Sequence, residues 1–341
     1  MKSLVPAILS ALVTIFSAFT PQQALAASPE KPKEVRFAYL NGPRPWILGK
    51  VDKSFDKAFG TPVKWINFAS GPSALQALAA GEIDIARCGS TPVTSALVKK
   101  VPLEVIAVSG VIDGSERLVA RKSIASIKDL EGHAVAYPAG STAHYALQAV
   151  FKVYGVDSSK VKQVNLKPAE QLAAWKRGDV QAAYVWGPFW NQMVAEDGHE
   201  LLRTGQLQDK GYYIFNAYVV SKKFATEHPD LVVSFLSVFE DTVKRYKADP
   251  DGSAAIIAKE LGQDAEAAKQ TLAGLAFPSL KEQLQVSLLG NGKNTADSNI
   301  AKGLAATAQF LVELGELQKN SLPPSFAPGI NTSFLEKAAA K

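Results

Sequence analysis

Cysteine is almost absent from this sequence of 341 residues, in which Cys88 is the single thiol. No disulfide can form within the chain, which excludes a small extracellular scaffold held together by disulfides. Histidine is scarce as well, and His133, His144, His199 and His228 show none of the paired spacings that bind transition metals. We therefore expect neither a metal site nor a cofactor.

Nucleotide-binding and hydrolase motifs are also missing. The sequence contains no GxGxxG, no GxxxxGK[ST] and no GxSxG, so neither a nucleotide nor an esterase-type nucleophile is expected. Its 37 Lys and Arg residues against 32 Asp and Glu give a net charge of +5, and the charges of both signs are mixed along the chain. Without a clustered basic face, nucleic acid is not expected as a partner. The mild positive excess favours small anionic ligands.

The N-terminus carries an uncharged and mostly apolar run over residues 4–19. Lys2 precedes this run, and a polar stretch ending in ALA at residues 24–26 follows it. This order is typical of a secretory signal peptide at residues 1–26, cleaved before Ala27, and the run is short for a membrane-spanning helix. No cysteine at the cleavage site could carry a lipid, so we expect a soluble protein exported to the periplasm.

Short apolar segments alternate with helical segments along the rest of the chain. VRFAYL (35–40), VKWINF (63–68) and EIDIA (82–86) have the pattern of strands, and SALQALAA (73–80) has that of a helix. Beyond Ser221 the pattern is almost wholly helical. Strands that alternate with helices predict an α/β fold with largely parallel sheets.

Two distant segments share one local order. QALAAGEIDIA (76–86) and LAAWKRGDVQAA (172–183) both consist of a helix, a glycine, an acidic residue and a strand. Either two similar α/β lobes place these segments in equivalent positions, or a common junction recurs by chance.

Four segments carry a resemblance to a known family, the periplasmic substrate-binding proteins of taurine and alkanesulfonate ABC transporters. In order they are FASGPSALQALAAGEIDIARCGSTP, SIKDLEGHAVAYPAGSTAHYAL, AAWKRGDVQAAYVWGP and KKFATEHPDLV, and the similarity spans roughly residues 35–317. It implies an α/β, type II-like periplasmic binding protein fold, in which two lobes joined by two crossing strands close on a ligand. Residues 35–116 and 221–341 would form the first lobe, and residues 117–220 the second.

The resemblance also implies a function. The protein would capture a small organic anion between the lobes and deliver it to an ABC permease driven by a separate ATPase subunit. It would act as a monomer and would not be an enzyme. Two other classes stay open. Pyrimidine synthases of thiamine biosynthesis share the fold, although the signal peptide and the lack of a cysteine-rich motif oppose that interpretation. A ligand-sensing partner of a membrane receptor is the other.

The stretch GSTAH contains the first candidate ligand site. The start of a helix leaves backbone N–H groups free and carries a partial positive charge, so Ser141 and Thr142 are placed to bind an anion such as a sulfonate. The resemblance places this loop in the cleft. The alternative is simple N-capping by these hydroxyls. A Ser141–His144 catalytic pair lacks an orienting carboxylate and an oxyanion hole, so we expect His144 to pack or to form hydrogen bonds.

Two further turns follow predicted strands. Ser90 and Thr91 precede Pro92, which suits the first turn of a helix. Because ligands in open α/β sheets bind at the carboxyl ends of strands, this turn would face GSTAH across the cleft. Ser70 and Gly71, after VKWINF, are a third candidate.

Aromatic and charged candidates complete the predicted site. Trp186 ends a strand and would form a wall of the pocket. The taurine binders that this chain resembles have acidic side chains in the first cleft loop and the last crossing strand, where this sequence has Arg44 and Asn216. Glu116 is the nearest remaining acid. A guanidinium and an amide suit a carboxylate, a second sulfonate or a hydroxyl better than the taurine ammonium, unless Arg44 is a solvated loop residue.

Overall fold

The computed structural model describes residues 30–340, so the expected signal peptide at residues 1–26 lies outside the described part of the chain. Within it, the strands follow this order: β1 Val35–Leu40, β2 Val63–Phe68, β3 Ile85–Gly89, β4 Leu103–Ile112, β5 Glu116–Arg121, β6 Ala134–Tyr137, β7 Lys162–Asn165, β8 Ala182–Trp186, β9 Gly198–Arg203, β10 Phe215–Ser221 and β11 Leu275–Ala276.

Helices connect these strands and form most of the C-terminal third. They are α1 Trp46–Val51, α2 Ser54–Phe59, α3 Gly71–Ala79, α4 Ser90–Val98, α5 Thr142–Tyr154, α6 Pro168–Arg177, α7 Phe189–Glu196, α8 Lys222–Glu227, α9 Pro229–Ala248, α10 Pro250–Leu261, α11 Ala265–Ala273, α12 Leu280–Gln283, α13 Asn299–Glu313 and α14 Ser333–Ala339. Among the described residues, no helix has the length and apolar character needed to cross a bilayer.

The strands form two separate sheets. One has the order β11-β4-β10-β3-β1-β2 and the other the order β7-β6-β8-β5-β9; we call each sheet with its helices the first and the second lobe. The expectation of largely parallel sheets is wrong. Strand β10 runs antiparallel to β3 and β4, and β5 runs antiparallel to β8 and β9. The physical reason is that β5 and β10 enter their sheets from the other lobe, and not by the strand–helix–strand crossover within one sheet that makes neighbouring strands parallel.

The chain passes between the sheets twice. The first passage is the short segment 113–115 between β4 and β5, and the second runs from the end of β9 to β10. Strand β10 hydrogen-bonds into the six-stranded sheet from Phe215 onward, so the predicted limit of the second lobe at residue 220 lies too late in the chain. Helix α13 also contacts the second lobe, because the rings of Tyr145 and Phe310 pack edge to face at 4.8 Å.

The two repeated sequence segments occupy equivalent places. Strand β3 lies between parallel β1 and antiparallel β10, and β8 lies between parallel β6 and antiparallel β5. In each lobe the carboxyl end of a central strand therefore lies beside the amino end of a strand that has just crossed over. The registers pair Gly89 with Asn216 in one sheet and Trp186 with Glu116 in the other. This arrangement places Asn216, Glu116 and Trp186, together with Gly89, at the edge where the lobes meet.

A cluster of aromatic side chains packs beneath the end of the first cleft loop, residues 41–45. Trp46, the first residue of α1, stacks on Trp65 with ring centroids 5.0 Å apart and also packs against Phe37. Trp46 is 1% exposed, so the loop immediately before it, which includes Arg44, has a fixed end.

Candidate functional site

A small cavity of about 30 Å³ lies between the lobes at the ends of these strands. Both lobes contribute to its wall, and the second lobe does so from β5, β8 and the start of α5. The lining residues are Leu40, Asn41, Arg44, Gly71, Arg87, Gly89, Pro92, Glu116, Ser141, Thr142, Trp186 and Asn216.

Most of the residues predicted as ligand contacts lie on this wall. The structure brings together Arg44, Gly71, Ser141, Thr142, Trp186 and Asn216.

Three predicted residues do not line the cavity. Ser70 is the N-cap of α3, where its hydroxyl accepts a hydrogen bond from the Ser73 amide at 3.4 Å. Ser90 is completely buried behind the wall. Thr91 lines a neighbouring cavity. The first turn of α4 rotates these two side chains away, so that Gly89 and Pro92 face the ligand cavity in their place.

Three helices begin at the cavity. Gly71 is the first residue of α3, Gly89 is the N-cap of α4, and Ser141 is the N-cap of α5. Each helix start presents backbone N–H groups and a partial positive charge, which favours an anion. The α4 and α5 turns face each other, as the sequence predicts. They meet so closely that a Cβ atom on Gly89 would lie 2.7 Å from Cγ2 of Thr142.

The hydroxyls of Ser141 and Thr142 already have partners. Ser141 Oγ donates to the Pro138 carbonyl at 2.6 Å and accepts from the His144 amide at 3.2 Å, which is an N-cap geometry. Thr142 Oγ1 donates to Glu116 Oε1 at 2.6 Å. Neither hydroxyl proton is therefore free for an anion, and the donors that α5 offers are its backbone N–H groups.

Two arginines supply buried positive charge. Arg44 and Arg87 are only 6% and 4% exposed. Arg44 Nη1 donates to the Pro43 carbonyl at 2.6 Å. Among the described residues, Arg44 Nε and both Nε and Nη2 of Arg87 have no hydrogen-bond partner. Burial lowers the pKa of both guanidiniums, and the proximity of Arg87 lowers the pKa of Arg44 further. Unpaired buried cations are costly, so this pair indicates an anion site.

Neutral donors lie beside the two guanidiniums. Asn216 is 6% exposed, and its Nδ2 has no partner among the described residues. The same is true of the buried Tyr218 hydroxyl. Tyr218 pairs directly with Arg87 across β10 and β3, so the two side chains project from the same face of the sheet.

Glu116 is the acidic residue on the wall. Burial raises the pKa of its carboxyl to about 7, against the opposing effects of the Thr142 hydrogen bond and of Arg44 and Arg87. Its Oε2 atom has no partner within the described part of the chain. The site thus combines two buried guanidiniums with one carboxyl that ionises near neutral pH.

His144 takes a packing role, as expected. Its ring stacks on Tyr137 at 4.6 Å and lies 3.4 Å from Glu316. Burial lowers the pKa of His144 to about 4, and Nδ1 accepts from the Gly140 amide at 3.3 Å. Within residues 30–340, no cluster of three or more His, Cys, Asp or Glu side chains could hold a metal ion.

Arg87 lines the cavity but is not among the residues predicted from the sequence. The signal was present, because an arginine near the end of the otherwise apolar strand IARCG is unusual in a buried position.

Comparison with known proteins identifies the family. Residues 33–270 match the substrate-binding domain of the ABC-type glycine betaine transport system. The taurine-binding periplasmic protein of Escherichia coli (strain K12) is 38% identical over 217 residues, which make up 64% of this chain and 68% of that protein.

Solved structures show the same fold at low sequence identity. The alkanesulfonate-binding protein SsuA from Xanthomonas axonopodis pv. citri bound to MOPS has a TM-score of 0.72 at 22% identity, covering 89% of this chain and 99% of that one. The desulfurization enzyme DSZB has a TM-score of 0.64 at 14% identity, covering 91% and 99%. Both binding proteins and an enzyme therefore use this fold, and the family match carries the assignment. The chain belongs to the family of substrate-binding proteins of ABC-type transport systems.

Proposed function

We propose that this protein binds a small organic anion of the sulfonate class that has a second acidic end, and that it delivers this ligand to an ABC importer. One observation carries the proposal. Arg44 and Arg87 are both buried at one cavity, with guanidinium atoms that lack protein partners among the described residues. Two cations suit two acidic groups, because a guanidinium pairs with a carboxylate or sulfonate through charge-assisted hydrogen bonds.

Taurine fits this cavity less well than a dianion does. The taurine-binding relative supports a sulfonate as one end of the ligand. The taurine ammonium would meet a single carboxyl, that of Glu116, beside two guanidiniums. A ligand such as sulfoacetate places an acidic group on each side. Trp186, which is 9% exposed on the wall, would cover the apolar body between the two ends.

Import by an ABC transporter is driven by ATP, and this sequence contains no nucleotide-binding motif of its own. The family supports a membrane permease and a separate ATPase subunit as partners. The periplasmic relative and the expected signal peptide at residues 1–26 support export to the periplasm. In this proposal the two lobes are the domains that close on the ligand, and the protein acts as a monomer that binds without catalysing a reaction.

The proposal is tested by a ligand panel on the protein without its signal peptide. Thermal unfolding is followed with sulfonates, carboxylates, phosphates, taurine and sulfoacetate. A ligand present at one hundred times its dissociation constant stabilises the folded protein by about 2.7 kcal/mol. A shift with sulfoacetate, and unchanged ligand recovered afterwards by NMR, supports the proposal. A panel without any shift, or turnover of a ligand, contradicts it, and turnover would favour the enzyme alternative.

A further inference from the structure

The charges on the cavity wall do not balance for a dianion. Arg44 and Arg87 contribute two positive charges and an ionised Glu116 one negative charge, and all three side chains are at least 94% buried. A bound dianion would place three negative charges against two positive ones in this small cavity. One proton on Glu116 removes the imbalance. A zwitterion brings no net charge, and its ammonium end requires Glu116 to stay ionised.

Building on the dianionic ligand proposed above, we propose that Glu116 takes up a proton when a dianion binds and stays ionised when a zwitterion binds, so that it determines which ligand charge the cavity accepts. The free oxygen, Oε2, is the position for this proton, because Oε1 already accepts from Thr142 at 2.6 Å. A protonated Oε2 becomes a donor that can face an acidic group of the ligand. The proton comes from solvent, and no other bond changes.

The groups that face Glu116 come from several elements. Arg44 lies in the loop before α1, Arg87 in β3 and Thr142 at the start of α5, and the two cations lower the pKa of the carboxyl less than burial raises it. From β8, the buried Tyr184 hydroxyl is hydrogen-bonded to Thr204 at 2.9 Å.

The phenols do not compete for this proton. Burial raises the pKa of Tyr184 and of Tyr218, which faces the two guanidiniums from β10, so both stay protonated between pH 6 and 8. Burial also raises the pKa of Glu316, which lies outside the cavity beside His144. Glu316 is therefore the group whose titration must be separated from that of Glu116.

The pH dependence of binding follows from proton linkage. With a pKa of about 7 in the free protein, Glu116 is mostly protonated at pH 6 and mostly ionised at pH 8. If the protonated form binds the dianion, sulfoacetate should bind about tenfold more weakly at pH 8 than at pH 6. Taurine should show the opposite trend, since it needs the ionised carboxyl.

The test is calorimetric titration of sulfoacetate and taurine at pH 6 and 8, in pairs of buffers with different ionisation enthalpies. Wild-type protein should take up close to one proton per sulfoacetate at pH 8 and little at pH 6. Glu116→Gln resembles the protonated carboxyl and keeps an oxygen for Thr142, so its sulfoacetate affinity should not change with pH. Glu316→Gln is the matched control and should keep the wild-type profile.

The outcomes separate this inference from the proposed function. Sulfoacetate binding without proton uptake at pH 8 would overturn the inference and leave the dianion site in place. The inference would equally fail if Glu316→Gln, and not Glu116→Gln, removed the pH dependence. No sulfoacetate binding at either pH would overturn the proposed function, and the inference with it.

Discussion

The Cγ2 methyl of Thr142, in the second lobe, lies against Gly89 in the first, where a Cβ atom would be only 2.7 Å away. Both residues are at helix starts on the cavity wall. Glycine at position 89 therefore permits the lobes to approach closely enough to enclose a ligand. Its φ of −70° is open to any residue, so space and not backbone conformation requires the glycine.

Gly89→Ala should oppose lobe closure. The added methyl group clashes with Thr142 in the closed arrangement, and we expect ligand affinity to fall by at least tenfold while thermal stability without ligand changes little. Calorimetric titration and small-angle X-ray scattering with and without sulfoacetate measure both effects.

A second substitution checks the cause. Gly89→Ala combined with Thr142→Ser removes the Cγ2 methyl but retains the hydroxyl that bonds to Glu116, so affinity should recover. Gly292→Ala, where an added Cβ would lie 3.9 Å from its nearest neighbour, Oε1 of Glu336, is the matched control. Full affinity in the single Gly89→Ala variant would show that closure does not depend on this contact.

Arg87→Gln should separate binding from stability. A hydrogen bond to a charged group contributes roughly 1.5–3 kcal/mol, so sulfoacetate affinity should fall about ten- to a hundredfold. The free energy of unfolding should not fall, because Nε and Nη2 of the buried guanidinium have no hydrogen-bond partner among the described residues. Arg177→Gln, at an exposed ion pair with Asp179, is the control and should change neither quantity. Unchanged affinity in Arg87→Gln would remove Arg87 from the site.

Ser141→Ala should act mainly on stability. Its hydroxyl caps α5 and is occupied on both sides, so the variant should lose about 1 kcal/mol of unfolding free energy. Affinity should change less than threefold, since the backbone N–H groups remain. Chemical denaturation and ligand titration of the same sample provide both values. A large loss of affinity at unchanged stability would instead make the hydroxyl a ligand contact.

Glu116 should lower the stability of the ligand-free protein at neutral and higher pH. Its folded-state pKa of about 7 lies above the ordinary value of 4.5, so the folded protein binds this proton more tightly than the unfolded chain. Stability therefore decreases as pH rises from about 4.5 to 7 and then levels off. Glu116→Gln should be more stable than wild type by about 3 kcal/mol at pH 8 and equal to it at pH 4. Equal stability of the variant and the wild type at both pH values would show that burial does not raise the pKa of the Glu116 carboxyl.

The periodic segments were predictable from sequence. VRFAYL and VKWINF match β1 and β2 residue for residue, because both are short, mostly apolar runs followed by turns that contain glycine and proline. Strand β9, GHELLR, has few apolar residues, and β11 has only two residues. These strands owe their conformation to pairing with β5 and β4, which no local pattern reveals.

The position of the site was predictable from the sequence, but the hydrogen bonds within it were not. Strand ends and helix starts located Ser141, Thr142 and Trp186 on the wall. The sequence could not show that Thr142 donates to Glu116, 26 residues earlier in the chain. That contact depends on how β5 and α5 pack, and it changes the role of the hydroxyl from ligand donor to partner of a buried acid.

The most direct test of the dianion site is calorimetric titration of taurine and sulfoacetate against wild type and against Arg44→Glu combined with Asn216→Asp. Arg44 lies buried at the cavity beside Arg87, so a second acidic end gains a partner there and an ammonium meets like charge. The wild type should prefer sulfoacetate, and the double variant should prefer taurine. Tight taurine binding by the wild type, unaffected by Arg44→Ala, would contradict the account.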